Sequence, residues 1–186
     1  MGEGGHALFH TAIGVCGIAW GPGGIVAVQL PEADAARTRA RLLKGLAPLS
    51  EVARPPAPVQ AAIEGVQALL EGRSRSDLRE IELDMSQVTP FQRAVYAIAR
   101  AIPPGQTRTY GEVAHELGDP GLSRAVGQAL GHNPFAPIVP CHRVLAAGAR
   151  SGGFSASGGV ATKLRMLQIE HAQIGGAPGL FDVDPA

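Results

Sequence analysis

TYGEVAHELGDPGLSRAVGQALGHNPFAPIVPCHRVL, residues 109–145, gathers in one run the turn signals and apolar spacings that decide the fold. Thr109-Tyr110-Gly111 leads into a helix expected over 112–117, and Gly118-Asp119-Pro120-Gly121 reads as a turn. A second helix is expected over 123–130, stopped by Gly131-His132-Asn133-Pro134. Two short helices about a tight turn have the shape of a helix-turn-helix, whose second member can be laid against DNA; many small helical domains also hold such a pair. The run 138–145 then reads apolar, reactive, apolar, with Cys141 and His142 at its centre. A thiol becomes a strong nucleophile as thiolate, which a neighbouring imidazole promotes. Side chains adjacent on an extended chain point opposite ways, so a bend or a bridging water has to join the two. The other reading is a buried structural cysteine beside a hydrogen-bonded core histidine.

Upstream, Thr89 is placed to cap a helix whose first position is Pro90. Phe91, Val95, Ile98 and Ile102 follow at helical spacing, and Pro103-Pro104-Gly105 ends the run. Before residue 86 the pattern changes. Residues 8–20 read as a strand, Gly21-Pro22-Gly23-Gly24 as a turn and 25–30 as a second strand, together a β-hairpin. An amphipathic helix is expected over 34–46, loop or extended chain over 54–58 because of its prolines, a helix over 59–70 and a short strand over 81–84. Downstream, a Gly- and Ser-rich loop at 148–159 precedes a final helix over 160–172, with Leu164, Leu167 and Ile169 inward. The expected class is α/β, with an N-terminal α/β domain at 1–85, a mostly helical C-terminal domain at 86–175 and a frayed tail at 176–186.

Composition narrows the class of function without choosing it. Hydrophobic residues are 45% and charged residues 17% of the 186, the balance of a globular chain. No apolar run reaches the ~18 residues that cross a bilayer. Residues 1–10 lack the basic-then-apolar build of a secretory signal, so the cytoplasm is the expected compartment. Sixteen basic residues balance sixteen acidic ones, and bulk charge announces no nucleic acid. Within 91–165, Arg93, Arg100, Arg108, Arg124, Arg143, Arg150, Lys163 and Arg165 face only Glu112, Glu116 and Asp119. That is either a local positive face or a scatter of solvated cations. Cys16 and Cys141 could pair, although in a reducing compartment a lone cysteine beside a histidine more often means chemistry.

Order and spacing add a resemblance. Phe91-Gln92, Ile102-Pro103, Gly105-Gln106-Thr107, Thr109-Tyr110-Gly111, Ser123-Arg124-Ala125-Val126-Gly127, Asn133-Pro134, Pro140-Cys141-His142-Arg143-Val144, Lys163, Leu167 and Glu170 resemble the signature of the methylated-DNA–protein-cysteine methyltransferases, the O6-alkylguanine-DNA alkyltransferases. Before Phe91 the resemblance is one of layout only. It implies a ribonuclease H-like layout for the first domain and a winged-helix-like build for the second. It also implies a monomer that acts on double-stranded DNA carrying O6-alkylguanine, with O4-alkylthymine a second candidate, and needs neither metal nor organic cofactor.

The resemblance implies roles residue by residue. Cys141 would accept the alkyl group, His142 would take the thiol proton through a water, and Glu170 would orient the imidazole. Asn133 would fix the bend before the cysteine. Arg124 would fill the place of a base rotated out of the stack, and Tyr110 would crowd the neighbouring phosphate and donate to the guanine ring. Thr109, Ala125 and Gly127 complete the DNA-facing set, with the small residues allowing close approach to a minor groove. Val144, Phe154 and Ser157, with Tyr110, would line the base pocket, Ser157 through its backbone N–H. This chain departs from the family in carrying Phe154 where tyrosine is usual, a longer 154–159 loop, Gly131 where some members have a basic residue, and His171 where glycine is common. A relative lacking the acceptor cysteine binds alkylated DNA without repairing it. A helix-turn-helix regulator would need polar reading residues where Ala125, Val126, Gly127 and Ala129 stand, and a Cys-His hydrolase would turn over repeatedly.

Overall fold

The computed structural model describes residues 3–73, 78–147 and 159–172. Three strands, β1 (Gly5–Thr11), β2 (Gly14–Gly21) and β3 (Gly24–Gln29), form an antiparallel sheet in the order β1-β2-β3. The single strand expected over 8–20 is thus two strands, and the hairpin is a three-stranded meander. The Thr11↔Gly14 pair closes a turn at Ala12-Ile13 that has none of the usual Asn-Gly or Pro-Gly signals. Gly14 at φ 130° supplies the backbone freedom. The Thr11 hydroxyl donates to Gly14 O at 2.7 Å and accepts from Ile13 N at 3.3 Å. Single β-bridges extend both edges: His6 pairs with Glu51 and Ile25 with Leu83, so the strand expected over 81–84 is one bridge long.

Alternation decides the faces of this sheet. Ala7, Phe9, Cys16, Ile18, Trp20, Ile25 and Val28 are buried in one core with α2 (Ala57–Leu70), which contributes Val59, Ala62, Ile63, Val66, Leu69 and Leu70. α2 begins earlier than expected. Ala57 and Pro58 belong to its first turn, where a missing N–H costs nothing. Helix α1 (Ala35–Leu43), capped by Asp34, buries Thr38 and Leu42 and lies so close to β2 that a Cβ at Gly17 would sit 2.9 Å from Leu42. α1 is capped at Lys44, and Gly45 takes the left-handed position at φ 80° just past it, the glycine near which the helix was expected to end.

A second core follows. α3 (Pro90–Ala101) opens on a capping box in which Gln92 N donates to Thr89 Oγ1 and Thr89 N to Gln92 Oε1. α4 (Tyr110–Glu116), a 3-10 turn at Pro120–Leu122 and α5 (Ser123–Gly131) form the helix pair. Thr109 and Glu112 repeat the capping box, which starts α4 two residues before the expected point. Val95, Tyr96, Ala99, Val113, Ala114, Val126, Ala129, Phe135, Val139, Cys141 and Val144 share this core. Little of the run 138–145 is extended chain. Cys141–Arg143 is a 3-10 turn, and only β5 (Val144–Leu145) is extended, pairing in parallel with β4 (Arg108–Thr109). Pro140 O accepts from Arg143 N at 2.9 Å and so favours the turn.

The two cores interlock. Ile138, and Met166 of helix α6 (Val160–Ile169), are buried in the first core, while Val28 N donates to Pro134 O at 2.8 Å. Helix α6 turns Lys163, Met166 and Leu167 inward; of the expected trio only Leu167 is fully buried, and Leu164 and Ile169 are half-exposed. The inward stripe carries charge because its cation finds buried partners. The helix stops at Ile169, before the expected 172, in a Schellman motif. His171 N donates to Gln168 O at 3.0 Å and Ala172 N to Leu167 O at 2.9 Å, with Ala172, Leu167 and Leu145 in one small cluster. His171 holds the left-handed position at φ 50°, which costs an L-residue ~1–2 kcal/mol. His171→Gly relieves that strain and returns part of it to the unfolded chain. The variant is expected to be more stable by about 0.5–1 kcal/mol in urea unfolding, and a lower midpoint would show that the imidazole itself holds the helix end.

Candidate active site

The segment between α5 and β5 presents Cys141. Asn133 Nδ2 donates to Val139 O at 2.8 Å, and Asn133 Oδ1 accepts from Phe135 N at 2.9 Å, drawing residues 133–139 into a closed loop. Cys141 N donates to Val139 O at 2.9 Å and opens the 3-10 turn. The sulfur is thereby set into the second core with 7% of the residue exposed. Cys16 lies in the other core, and both thiols are free, so the pairing that the cysteine count allowed does not occur.

Four ionisable groups converge behind the cysteine. His142 Nε2 lies 2.8 Å from Glu170 Oε1. A carboxylate can only accept, so Nε2 carries a proton, and in the neutral ring Nδ1, buried with no hydrogen-bond partner among the described residues, is then the lone-pair nitrogen. Arg143 Nε donates to Glu170 Oε2 at 3.0 Å and Nη2 to Oε1 at 2.8 Å, a two-pronged pair, while Nη1 donates to Ile102 O at 2.7 Å. Lys163 Nζ donates to Val144 O at 2.8 Å and stands 5.9 Å from the Tyr110 ring centroid. His142, Arg143 and Lys163 are all within 1% of complete burial.

Their titration follows from that burial. Burial raises the Cys141 thiol, and the Asn133 side chain and the Lys163 charge only partly oppose it. Cys141 therefore rests as the thiol at neutral pH. Burial lowers His142 despite the Glu170 carboxylate that pulls the other way, so the ring is neutral and able to accept. Burial also lowers Lys163, to about 8. For Glu170 burial pushes upward, but the hydrogen bonds from His142 and Arg143 and the Arg143 charge outweigh it and bring the carboxyl to about 2. The arrangement suits an acid group that must lose its proton inward, to a neutral base, rather than to solvent.

Of the remaining residues singled out from sequence, Tyr110 and Val144 pack in the core that holds Cys141, and Thr109, Arg124, Ala125 and Gly127 lie at the start of α4 and on α5. Tyr110, first residue of α4, is half-buried, and its ring lies 3.9 Å from where a Cβ at Gly127 would stand. A side chain at 127 would therefore touch the tyrosine ring. Arg124 is exposed in the first turn of α5 and makes no hydrogen bond or ion pair among the described residues. Ala125 and Gly127 follow it, partly exposed. The Thr109 hydroxyl is already committed to its capping box with Glu112. Val144 is fully buried beside Cys141. Phe154, Ser157 and most of the 148–159 loop lie outside the described residues.

Comparison with known proteins bears on this geometry. Residues 90–172 match the family described as 6-O-methylguanine DNA methyltransferase, DNA binding domain. A methylated-DNA–protein-cysteine methyltransferase of Mycobacterium bovis is 41% identical over 127 residues, covering 67% of this chain and 75% of that protein. One from Methanothermobacter thermautotrophicus is 32% identical over 169 residues, covering 91% and 86%. The chain belongs to the methylated-DNA–protein-cysteine methyltransferase family. The crystal structure of Mycobacterium tuberculosis OGT in complex with DNA superposes with a TM-score of 0.71 at 30% identity, covering 89% of this chain and 92% of that one. The O6-methylguanine-DNA methyltransferase of Pyrococcus kodakaraensis gives 0.69 at 28% identity, covering 89% and 98%.

For this methyltransferase family member, two side chains that carry the site were read from sequence as surface charge. Arg143 and Lys163 belong to neither a positive face nor a solvated scatter; both are buried against acceptors. Arg93 and Arg100 are spent on backbone carbonyls and Arg108 on Glu116, which leaves Arg124 and Arg165 as the exposed cations of that set without a hydrogen bond or ion pair among the described residues. Tyr96 was missed as well: its hydroxyl donates to Ala129 O at 2.9 Å and so ties α3 to α5 beneath Cys141. The usable signal was spacing. Lys163, Met166, Leu167 and Glu170 share one helical face, which a purely hydrophobic reading of α6 divides wrongly. Among the described residues, no three His, Cys, Asp or Glu side chains stand where a metal ion could be held.

Proposed function

We propose that this protein repairs DNA by moving an alkyl group from the O6 atom of guanine onto Cys141, each molecule acting once. The observation that carries this is a buried thiol followed in the chain by a neutral, carboxylate-oriented histidine, inside the segment that matches the family. In the step proposed, the S–H proton passes through a water to His142 Nδ1. The thiolate then attacks the O6-bound carbon, a C–S bond forms, and the C–O bond breaks with its electrons left on guanine. The product is a thioether, which water does not reverse, and neither a metal nor an organic cofactor enters the balance.

The lesion must leave the duplex to reach a sulfur this enclosed. Arg124, exposed and uncommitted on α5, fills the vacated place in the stack, with Ala125 and Gly127 allowing the helix close to the minor groove and Thr109 and Tyr110 beside the displaced nucleotide. Tyr110 and Val144, with Phe154 and Ser157 of the 148–159 loop, wall the base. We read residues 1–85 as a ribonuclease H-like support, 86–175 as a winged-helix-like DNA-binding and acceptor domain, and 176–186 as a tail. The protein acts as a cytoplasmic monomer on alkylated double-stranded DNA, with O4-alkylthymine as a second substrate. No helix among the described residues is long and apolar enough to cross a membrane.

Incubating the protein with O6-[methyl-labelled]guanine duplex tests this reading. One methyl is expected on the peptide that holds Pro140 to Arg143, with label and protein in equal amounts. Duplex bound with its lesion intact and Cys141 unmodified would reduce the protein to a binder. Arg124→Ala is expected to slow transfer from duplex at least tenfold while leaving transfer from free O6-benzylguanine within twofold. Equal losses on both would remove the stack-filling role.

A further inference from the structure

We propose that Arg143 is a positioning residue that holds His142 neutral, with its lone pair on Nδ1, by sharing the Glu170 carboxylate with it. The inference deepens the reading above and rests on it. Glu170 Oε1 accepts from both His142 Nε2 and Arg143 Nη2, each at 2.8 Å, and Oε2 accepts from Arg143 Nε at 3.0 Å. Two of the three bonds on the carboxylate therefore come from the guanidinium. Arg143 is itself fixed at its third nitrogen by Ile102 O at the end of α3, so the fork cannot swing away.

The electrostatic argument counts buried charge. A histidine alone with a carboxylate in a dry site is drawn into an imidazolium–carboxylate pair, because an unpaired buried anion costs several kcal/mol. Such a ring holds a proton on both nitrogens and has no lone pair to offer a thiol. Arg143 removes the need, since it neutralises Glu170 permanently and leaves the imidazole only to donate Nε2–H. The charged groups facing His142 are few. Arg143 is its neighbour on the same turn, Glu170 and Lys163 come from the α6 side, and Cys141 adjoins it. Arg143 and Lys163 both oppose a positive charge on the ring, and among the described residues Glu170 alone favours one. An arginine suits the task where a lysine does not: it stays charged at any relevant pH, and its planar fork spans both carboxylate oxygens.

The transfer step then balances with one proton moved. The S–H bond of Cys141 breaks and an N–H bond forms at Nδ1, so a positive imidazolium appears only as the thiolate does. Were the ring charged beforehand, the thiol proton would have to go to solvent from a buried site.

The test is ring 15N NMR of the histidines in the whole protein, paired with the pH dependence of single-turnover transfer. In the unmodified protein His142 is expected to remain neutral, in the Nε2–H form, from pH 6 to 8. In Arg143→Gln its titration is expected to rise by at least one pH unit, and the acid limb of the transfer rate to move upward with it. Arg143→Lys, which keeps charge but not the fork, is expected to fall between the two. A charged His142 at pH 7 in the unmodified protein overturns the proposal without any variant, so poor folding of Arg143→Gln does not shield it. A variant that folds with His142 titrating as before, and a transfer profile lowered without being moved along the pH axis, also overturns it. Loss of transfer from the unmodified protein, with the ring neutral, would instead count against the alkyl-transfer reading.

Discussion

Cys141→Ala is expected to abolish alkyl transfer outright, to the background of lesion persistence, while duplex affinity stays within about threefold. No other group among the described residues can stand in. Cys16 is buried in the opposite core with its thiol pushed up to about 12, by burial against a weak opposing hydrogen bond shared with Thr11, so it offers neither access nor thiolate. His142 is completely buried in the turn with Nε2 on Glu170, out of reach as an alkyl acceptor and, in the proposed mechanism, the base. Affinity survives because the exposed surface of α5, with Arg124, is untouched. The cost in stability is that of one small buried group, about 1 kcal/mol. The measurement is lesion disappearance over a long incubation with excess protein, beside binding to the same duplex. Residual stoichiometric repair by the alanine variant would relocate the acceptor and undo the mechanism.

Glu170→Ala is expected to cost about 3–5 kcal/mol of stability, a large part of what a domain of this size possesses. The variant strands the Arg143 guanidinium in a dry site and, among the described residues, leaves it Ile102 O alone and removes the one anion that faces the cluster containing Lys163. The same carboxylate makes a pH prediction whose sign is fixed. Its folded value is about 2, below the ordinary 4.5, so its contribution is complete above about pH 4.5 and is lost as pH falls from there towards 2. Urea unfolding between pH 7 and 3 checks this: the protein should weaken along that limb, and Glu170→Gln should be weaker at pH 7 but flatter below pH 4.5. An unchanged slope in the glutamine variant would mean that the carboxyl is not ionised in the fold.

How much of this was legible in the sequence varies with the physics of each element. The helix pair and its turn were readable because Thr109, Gly118, Asp119 and Pro120 are local signals that act through their own backbone. The two-residue turn at Ala12-Ile13 was not, since its residues are ordinary and Gly14 alone bears the backbone conformation. Pro58 was read as a helix breaker when its position in the first turn makes it harmless. The bend at Cys141 was foreseen only as one of two ways to join thiol and imidazole, because an apolar run with prolines at 137 and 140 does not say where the chain turns. Arg143 and Lys163 escaped for a different reason. Burial of a cation is a long-range outcome, decided by acceptors at Glu170, Ile102 and Val144, and no window of sequence around the cation contains them all.

Ile138 and Met166 reach out of the chemical half of the molecule to fill the hydrophobic interior of the other half. The amino-terminal sheet is in this sense a buttress, required for the hollow it presents and not for any reactive group it owns. Drift in its amino acids is tolerable so long as that hollow keeps its shape, whereas the residues around the sulfur are bound to one another by hydrogen bonds that admit few substitutes. A single chain can thus combine a permissive half and an exacting one, with two aliphatic side chains as the rivets between them.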